Sequence, residues 1–330
     1  MDILSKHARP RALITGLRGF TGEYLARELN ACSYEVFGTA YGNEALGQGV
    51  YYVDMCDPLA LQEVVNQVQP EIVAHLAAIS FVGHGNVEDI YRINVVGTRN
   101  LLEALSKLKV PPRAVLVASS ANIYGNSNAG VIAETEIAMP ANDYAISKLA
   151  TEHVARLWMD KLPIFITRPF NYTGVGQAEN FLLPKIVSHF KRKATHIELG
   201  NLDVARDFSD VRNIAKAYCE LLLKAPAGET FNICTGKAYT LRQVIQLVEE
   251  IAGYQIDVQV NPAFVRANEV RVLVGNPTKL RNCIGSLPEI DLQQTLRWML
   301  ADVHPNLVPV ATISEPKAMS THKPIIEVAA

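Results

Sequence analysis

Tyr144 and Lys148 stand four residues apart in the run Tyr144-Ala145-Ile146-Ser147-Lys148. On a helix that spacing puts both side chains on one face. An ammonium beside a phenol stabilises the phenolate and brings its pKa toward a value useful for proton transfer. So short a pattern carries meaning only in context. Just upstream, an apolar run over 114–119 leads into Ser119-Ser120-Ala121-Asn122-Ile123-Tyr124-Gly125. A strand ending in serines delivers a hydroxyl to the carboxyl edge of a sheet, where ligands of open α/β sheets bind.

A second constellation lies near the amino end. Ala12-Leu13-Ile14 is followed by Thr15-Gly16-Leu17-Arg18-Gly19-Phe20-Thr21-Gly22. Three glycines spaced three apart, after a strand and before a helix, suit a dinucleotide pyrophosphate. Glycine lets the backbone turn tightly and approach the phosphates, and the new helix offers unpaired N–H groups and its positive dipole end. The following helix shows apolar spacing at Phe20, Tyr24, Leu25 and Leu29.

These groups need a scaffold. Strand-like runs are expected over 12–15, 35–39, 49–53, 72–76, 114–119 and 164–168, with helices near 21–29, 58–67, 90–108 and 144–160. Alternating strands and helices mean a parallel sheet covered on both faces. The expected class is α/β: a Rossmann-type doubly wound parallel sheet with a smaller mixed α/β substrate lobe. The sheet domain is expected over 1–170, with later crossings near 205–235, and the substrate lobe mainly over 171–303. That lobe should hold a helix near 181–193, strands near 196–199 and 230–233, and a helix capped by Thr240 with Gln243 in a capping box. A tail over 304–330 carries Pro305, Pro309 and Pro316 with little periodicity and is expected to be peripheral or disordered.

Composition agrees. Hydrophobic residues at 49% and charged residues at 19% supply ample core, and a net charge of -2 gives no pull toward nucleic acid or anionic membrane. The five cysteines never form a C-x-x-C pair and read as buried free thiols, with no metal site. Lys6, His7 and Arg9 precede no apolar run of a secretory leader, and nothing approaches a membrane span; both features point to the cytoplasm.

The second strand ends Val36-Phe37-Gly38-Thr39-Ala40-Tyr41, with no carboxylate to bind the adenine ribose hydroxyls or repel a 2′-phosphate. Arg18 in the glycine loop could pair with that phosphate, or be a solvated loop charge. NADP(H) is therefore the expected cofactor.

Taken in order, these segments resemble the extended short-chain dehydrogenase/reductases that modify nucleotide sugars. The resemblance covers roughly 11–299 and includes Asp54-Met55-Cys56-Asp57, His75-Leu76-Ala77-Ala78, Asn94 with Gly97-Thr98, and Arg168-Pro169-Phe170-Asn171. It implies that Tyr144 is the proton donor or acceptor, that Lys148 holds the nicotinamide ribose and lowers the Tyr144 pKa, and that Ser120 polarises the sugar carbonyl. It also puts Gly16, Arg18, Gly19, Phe20, Gly22, Asp54, Met55, Leu76, Ala77, Ala78 and Arg168 about the cofactor. Asp54 could instead cap a turn, and His75 could be a satisfied buried histidine.

The second half is similar to the substrate lobe of GDP-mannose 4,6-dehydratases and GDP-4-keto-6-deoxy-mannose reductases. Arg206 would grip phosphate, Glu269 would accept from ribose hydroxyls, Arg266 beside it would bind substrate, and Asn171 matches a sugar-diphosphate contact. A surface ion pair is the alternative for Arg206 and Glu269. The dehydratases carry a Glu two residues before the Tyr of the Ser-rich segment; this chain has Asn122, here assigned to substrate binding. An amide takes no proton at neutral pH, so elimination of water loses its catalyst, whereas carbonyl reduction needs no such base. The expectation is an NADPH-dependent reductase of a GDP-4-keto-6-deoxyhexose, forming a product such as GDP-rhamnose. A nucleotide-sugar epimerase or dehydratase of the same family, and a non-catalytic dinucleotide sensor, remain as alternatives. The resemblance further implies a homodimer through the helices near 90–108 and 144–160.

Replacing Arg18 with Ala should weaken NADPH far more than NADH when the two dissociation constants are measured side by side. Equal losses would sink the pairing of Arg18 with the 2′-phosphate.

Overall fold

A computed structural model describes residues 9–42, 49–80, 85–127, 130–265 and 270–302. Arg266, Glu269, the first eight residues and the tail over 304–330 lie outside the described residues. The first half builds β1 (Arg11–Thr15), α1 (Phe20–Ala31), β2 (Glu35–Ala40), β3 (Val50–Tyr52), α2 (Pro58–Val68), β4 (Ile72–His75), α3 (Val87–Tyr91), α4 (Gly97–Ser106) and β5 (Ala114–Ala118). A short β6 (Val131–Ile132), α5 (Asp143–Arg156) and β7 (Ile164–Pro169) follow. The second half contains β8 (Asn171–Thr173), α6 (Leu182–Lys191), β9 (His196–Leu199), β10 (Ala205–Asp210), α7 (Val211–Lys224), β11 (Thr230–Ile233) and β12 (Ala238–Thr240). It ends in α8 (Leu241–Ala252), β13 (Asp257–Val260), β14 (Val272–Gly275), α9 (Thr278–Ile284) and α10 (Leu292–Ala301).

Seven parallel strands form the main sheet in the order β11-β7-β5-β4-β1-β2-β3. Strand β1 pairs with β2 on one side and β4 on the other, so the strand order reverses there and a crevice opens at the carboxyl ends. Both faces are covered, which is why the central strands read as continuous apolar runs. On one face α1 and α7 pack over Ile14, Val36, Ile72 and Phe165; on the other, α2 and α4 pack over Leu13, Val73, Val115 and Ile164.

The chain crosses between layers more than once. Strand β6 pairs not with the main sheet but with β14, in a second sheet ordered β12-β10-β14-β6, with β8 beside β10. Strand β11 returns to edge the main sheet beside β7. A separate core gathers α6, α8 and α10 around Phe190, Val244 and Leu296. Helix α8 starts on the expected capping box: Thr240 and Gln243 each accept from the other's backbone N–H.

The helix expected over 90–108 is interrupted. Between α3 and α4, Arg92–Val96 form a single π-helical turn. The wider turn points Asn94 into the protein, where it is used, as described below. Helix α5 stops at Arg156, short of the expected 160. All five cysteines are free, but only Cys219 is fully buried. No described helix is long and apolar enough to cross a membrane.

Candidate active site

The glycine loop lies at the switch point. Gly16 has φ +72°, and a Cβ there would sit 3.0 Å from the Ala77 backbone. The β1–α1 turn therefore touches the end of β4 directly. Gly22 is equally constrained: a Cβ would meet the carbonyl oxygen of Gly16 at 2.5 Å. Leu17 is pinned underneath, its N–H donating to Thr39 O at 3.0 Å. Helix α1 starts after Gly19 with no side chain capping it, while α2, α5, α8 and α10 all carry side-chain caps. Its first N–H groups are thus open to an acceptor, as a pyrophosphate requires. Arg18 is exposed in this loop, 3.8 Å from Glu23. Phe20 lies at the first turn, stacked on Tyr172.

Leu76, Ala77 and Ala78 follow β4 and face the loop. Thr15 Oγ1 accepts from Ala77 N at 3.2 Å, and Leu76 N donates to Thr15 O. His75 is the satisfied buried histidine: its Nδ1 meets Thr15 Oγ1 at 2.7 Å and its Nε2 meets Thr98 Oγ1 at 2.8 Å. Burial, with the charge of Lys148 adding, pushes its pKa down to about 3. Asp54 caps its own turn, accepting from Cys56 N at 2.8 Å, and lies 3.8 Å from Arg92. The buried Met55 beside it is held by Asn100, which donates to its carbonyl.

Tyr144 and Lys148 lie on α5, both buried. Asn142 caps the helix through Ala145 N, so Tyr144 sits in the first turn. Ser120 is in hydrogen-bonding contact with Tyr144. Ser120 Oγ also accepts from Asn122 N and Asn122 Nδ2, both at 3.2 Å. A serine hydroxyl has two lone pairs and one proton. With both lone pairs engaged by Asn122, the O–H is what Ser120 has to donate, and in the structure its partner is the Tyr144 phenol.

The electrostatics follow from burial. The resemblance implies that Lys148 draws the Tyr144 pKa down. Instead, burial pushes the phenol up to about 12 against the hydrogen bond from Ser120. Burial also pushes Lys148 down to about 8, against the pull of Glu152. The phenol is therefore held protonated, the form a proton donor needs.

Two anchors seat α5, and motif reading did not assign either role. Asn94, on the π turn, donates to Ser147 Oγ at 3.0 Å and clasps Ile79 through both its amide atoms. Its carbonyl accepts from Thr98 and Thr151. The motif Asn94 with Gly97-Thr98 flagged the position, but not the turn that aims it. The second anchor is a correction. Arg168, expected about the cofactor, spends its guanidinium inside the fold: Nε and Nη2 donate to the two Glu152 carboxylate oxygens at 2.8 and 2.7 Å. Its Nη1 donates to Tyr124 Oη and Glu134 O. A buried carboxylate four residues beyond Lys148 holds that side chain within the fold.

On the substrate side, Asn171 is exposed at the start of β8. Arg206, on β10, donates to the carbonyls of Ala205 and Arg271 at 2.9 and 3.3 Å. Asp207 next to it is buried and ties β10 to Thr235, Gly236 and Gly275.

Fold and site together define a nucleotide-sugar oxidoreductase with a nicotinamide-dinucleotide loop at the switch point. The chain belongs to the family described as GDP-mannose 4,6 dehydratase, whose model matches residues 13–299. It is 37% identical to a GDP-6-deoxy-D-talose 4-dehydrogenase of Aggregatibacter actinomycetemcomitans, over 84% of this chain and 92% of the relative. It is 33% identical to a GDP-6-deoxy-D-mannose reductase of Pseudomonas aeruginosa, over 88% of this chain and 96% of the relative. Among solved structures, a candidate epimerase of Burkholderia cenocepacia J2315 is 52% identical, with a TM-score of 0.84 and coverage of 89% and 98%. RMD of Pseudomonas aeruginosa, solved with NADPH, is 31% identical, with a TM-score of 0.78 over 89% of this chain and 98% of that one.

His75 supplies a pH test. Its ordinary pKa of 6.5 falls to about 3 in the fold, so below pH 6.5 the unfolded chain binds a proton that the native state refuses. The stability linked to this group is full above 6.5 and is lost as the pH falls toward 3. In urea unfolding, the stability gap between wild type and His75→Gln should therefore narrow between pH 7 and pH 4. A constant gap would show that His75 does not titrate this way.

Proposed function

We propose that this chain uses NADPH to reduce the 4-keto group of a GDP-4-keto-6-deoxyhexose, giving a GDP-6-deoxyhexose such as GDP-rhamnose. Asn122 carries the reading. Where the similar dehydratases place a carboxylate, this chain has an amide, whose Nδ2 donates to Ser120 Oγ beside the backbone N–H of the same residue. The result, among the described residues, is a pair of hydroxyl donors, Ser120 and Tyr144, with no carboxylate at position 122 to remove a proton from the neighbouring carbon.

When bound, the dinucleotide supplies a hydride to C4 of the sugar. Tyr144 gives its phenolic proton to the C4 oxygen as negative charge develops there, and Ser120 donates a hydrogen bond to the same oxygen. A phenol held up at about 12 is still far more acidic than the alcohol formed, so the transfer runs downhill. Lys148 lies one helical turn from Tyr144, in place to hold the nicotinamide ribose. The loop from Gly16 to Gly22 holds the pyrophosphate, Arg18 meets the 2′-phosphate, and no carboxylate at the end of β2 opposes it. Asn171 and Arg206 take the sugar diphosphate; Arg266 and Glu269 keep their expected part in binding the substrate, Glu269 at the ribose. The names of the two relatives fit one substrate: rhamno and talo 6-deoxyhexoses differ only in configuration at C4, the carbon that receives the hydride.

The purified protein should consume NADPH only when GDP-4-keto-6-deoxy-mannose is present, and Tyr144→Phe should cut turnover by about 100-fold or more. NMR of the product reads the C4 configuration. Dehydration of GDP-mannose, or epimerisation of a nucleotide sugar without added dinucleotide, would overturn the reductase reading. NADPH binding that survives Tyr144→Phe, with no turnover of any GDP-sugar by wild type, would favour a sensor.

A homodimer goes with this reading. Val96 and Ile146 are exposed on the helical face that the resemblance assigns to a dimer. Light scattering should give twice the chain mass, and Ile146→Asp should shift it toward the monomer; a monomeric wild type would exclude the dimer.

A further inference from the structure

An aromatic seam joins α1 to the substrate lobe, and no step of the proposed reaction uses it. The Tyr172 ring stacks on Phe20, with centroids 6.0 Å apart and planes 7° from parallel. Phe20 meets Tyr24 edge-on at 5.8 Å, and Tyr24 meets Trp298 of α10 in the same way at 6.1 Å. Two hydrogen bonds run alongside: Tyr172 Oη with Thr21 Oγ1 at 2.8 Å, and Tyr24 Oη to Val175 O at 2.7 Å. The first turn of α1, which faces the dinucleotide, is thereby fastened to β8 and the loop after it.

Strand β8 is short and its residues alternate. Asn171 faces out, exposed, while Tyr172 is partly buried against α1. One strand thus presents a diphosphate contact on one side and a grip on the dinucleotide loop on the other. The strand is registered on β10, Tyr172 opposite Ser209, so it cannot slide independently of the substrate lobe. The Tyr172 side chain links β8 directly to Thr21 and Phe20, and Tyr24 links the loop after β8 to the same helix through Val175.

We propose that Tyr172 is a positioning residue that couples the two binding sites, so that a guanosine diphosphate on Asn171 tightens the α1 loop around the dinucleotide through the Tyr172–Thr21 hydrogen bond and the stack on Phe20. The inference rests on the reading of Asn171 and the glycine loop given under Proposed function. Linkage makes the effect reciprocal: each ligand raises the affinity of the other by the same factor.

The test is binding, not turnover. NADPH affinity is measured by its fluorescence, with and without saturating GDP, for wild type, Tyr172→Phe, Thr21→Val and the double variant. Both substitutions are nearly isosteric, and Tyr172→Phe keeps the stack. In wild type, GDP should tighten NADPH by about 5-fold or more. Each single variant should drop that factor below about 2-fold, and the double variant should fall no further, since one bond is shared. A tyrosine that only stabilises the fold would lower the melting temperature and both affinities but leave the factor untouched, which would overturn the proposal. Wild type that binds both ligands with no coupling would overturn it too, and leave the reductase reading standing. Failure of wild type to bind either NADPH or GDP would overturn the reductase reading and this inference with it.

Discussion

Glu152 has no exposure to solvent, and burial alone would push its carboxyl toward the neutral form. Arg168 answers with two hydrogen bonds from one guanidinium, and the carboxyl pKa ends below its ordinary value. This pair binds α5 to β7 from inside the sheet. Removing Glu152 would take the carboxylate from the buried Arg168, at a cost of about 3–5 kcal/mol, whereas removing Arg168 would leave Glu152 its second partner, Arg156, at 3.2 Å. Tyr144 and Lys148 are carried on the same helix, so the position of both reacting groups relative to the sheet depends on this contact. Asn94 holds the same helix from the other side, through Ser147, the residue between them.

The main sheet was readable because its strands are buried on both faces and stand out as apolar runs between turn residues. Each of the six expected strands is found within a residue or two at its ends. The second half was harder for the same physical reason inverted. Strands β8, β12 and β14 are three or four residues long, too short to show a period, and their pairing partners lie far along the chain. Helix α7 has no place among the expected elements, although it is long and amphipathic. The capping box at Thr240 was legible because it is written in two side chains three apart.

At the site, spacing located Tyr144, Lys148 and the glycine loop because each is a local pattern. The use of Arg168 and Asn94 was not legible, since each depends on what stands opposite in space. Arg168 next to Pro169, Phe170 and Asn171 looks like a ligand-facing arginine until Glu152 is seen beneath it. The π turn at Arg92–Val96 is invisible to any 3.6-residue template, yet it is what turns Asn94 inward. Burial then overrides local chemistry: it holds Tyr144 protonated and keeps His75 neutral despite hydroxyl partners on both nitrogens.

The crossing strands have a consequence for how the molecule is made. During synthesis β6 leaves the ribosome long before β14, its partner in the second sheet, and must wait for about 140 further residues. The main sheet waits as well, since its edge strand β11 follows β8, α6, β9, β10 and α7 in the chain. Neither lobe can close on a nascent chain while the other is absent. The two lobes are therefore a single unit of biogenesis, and neither could be moved between proteins as one uninterrupted stretch of coding sequence.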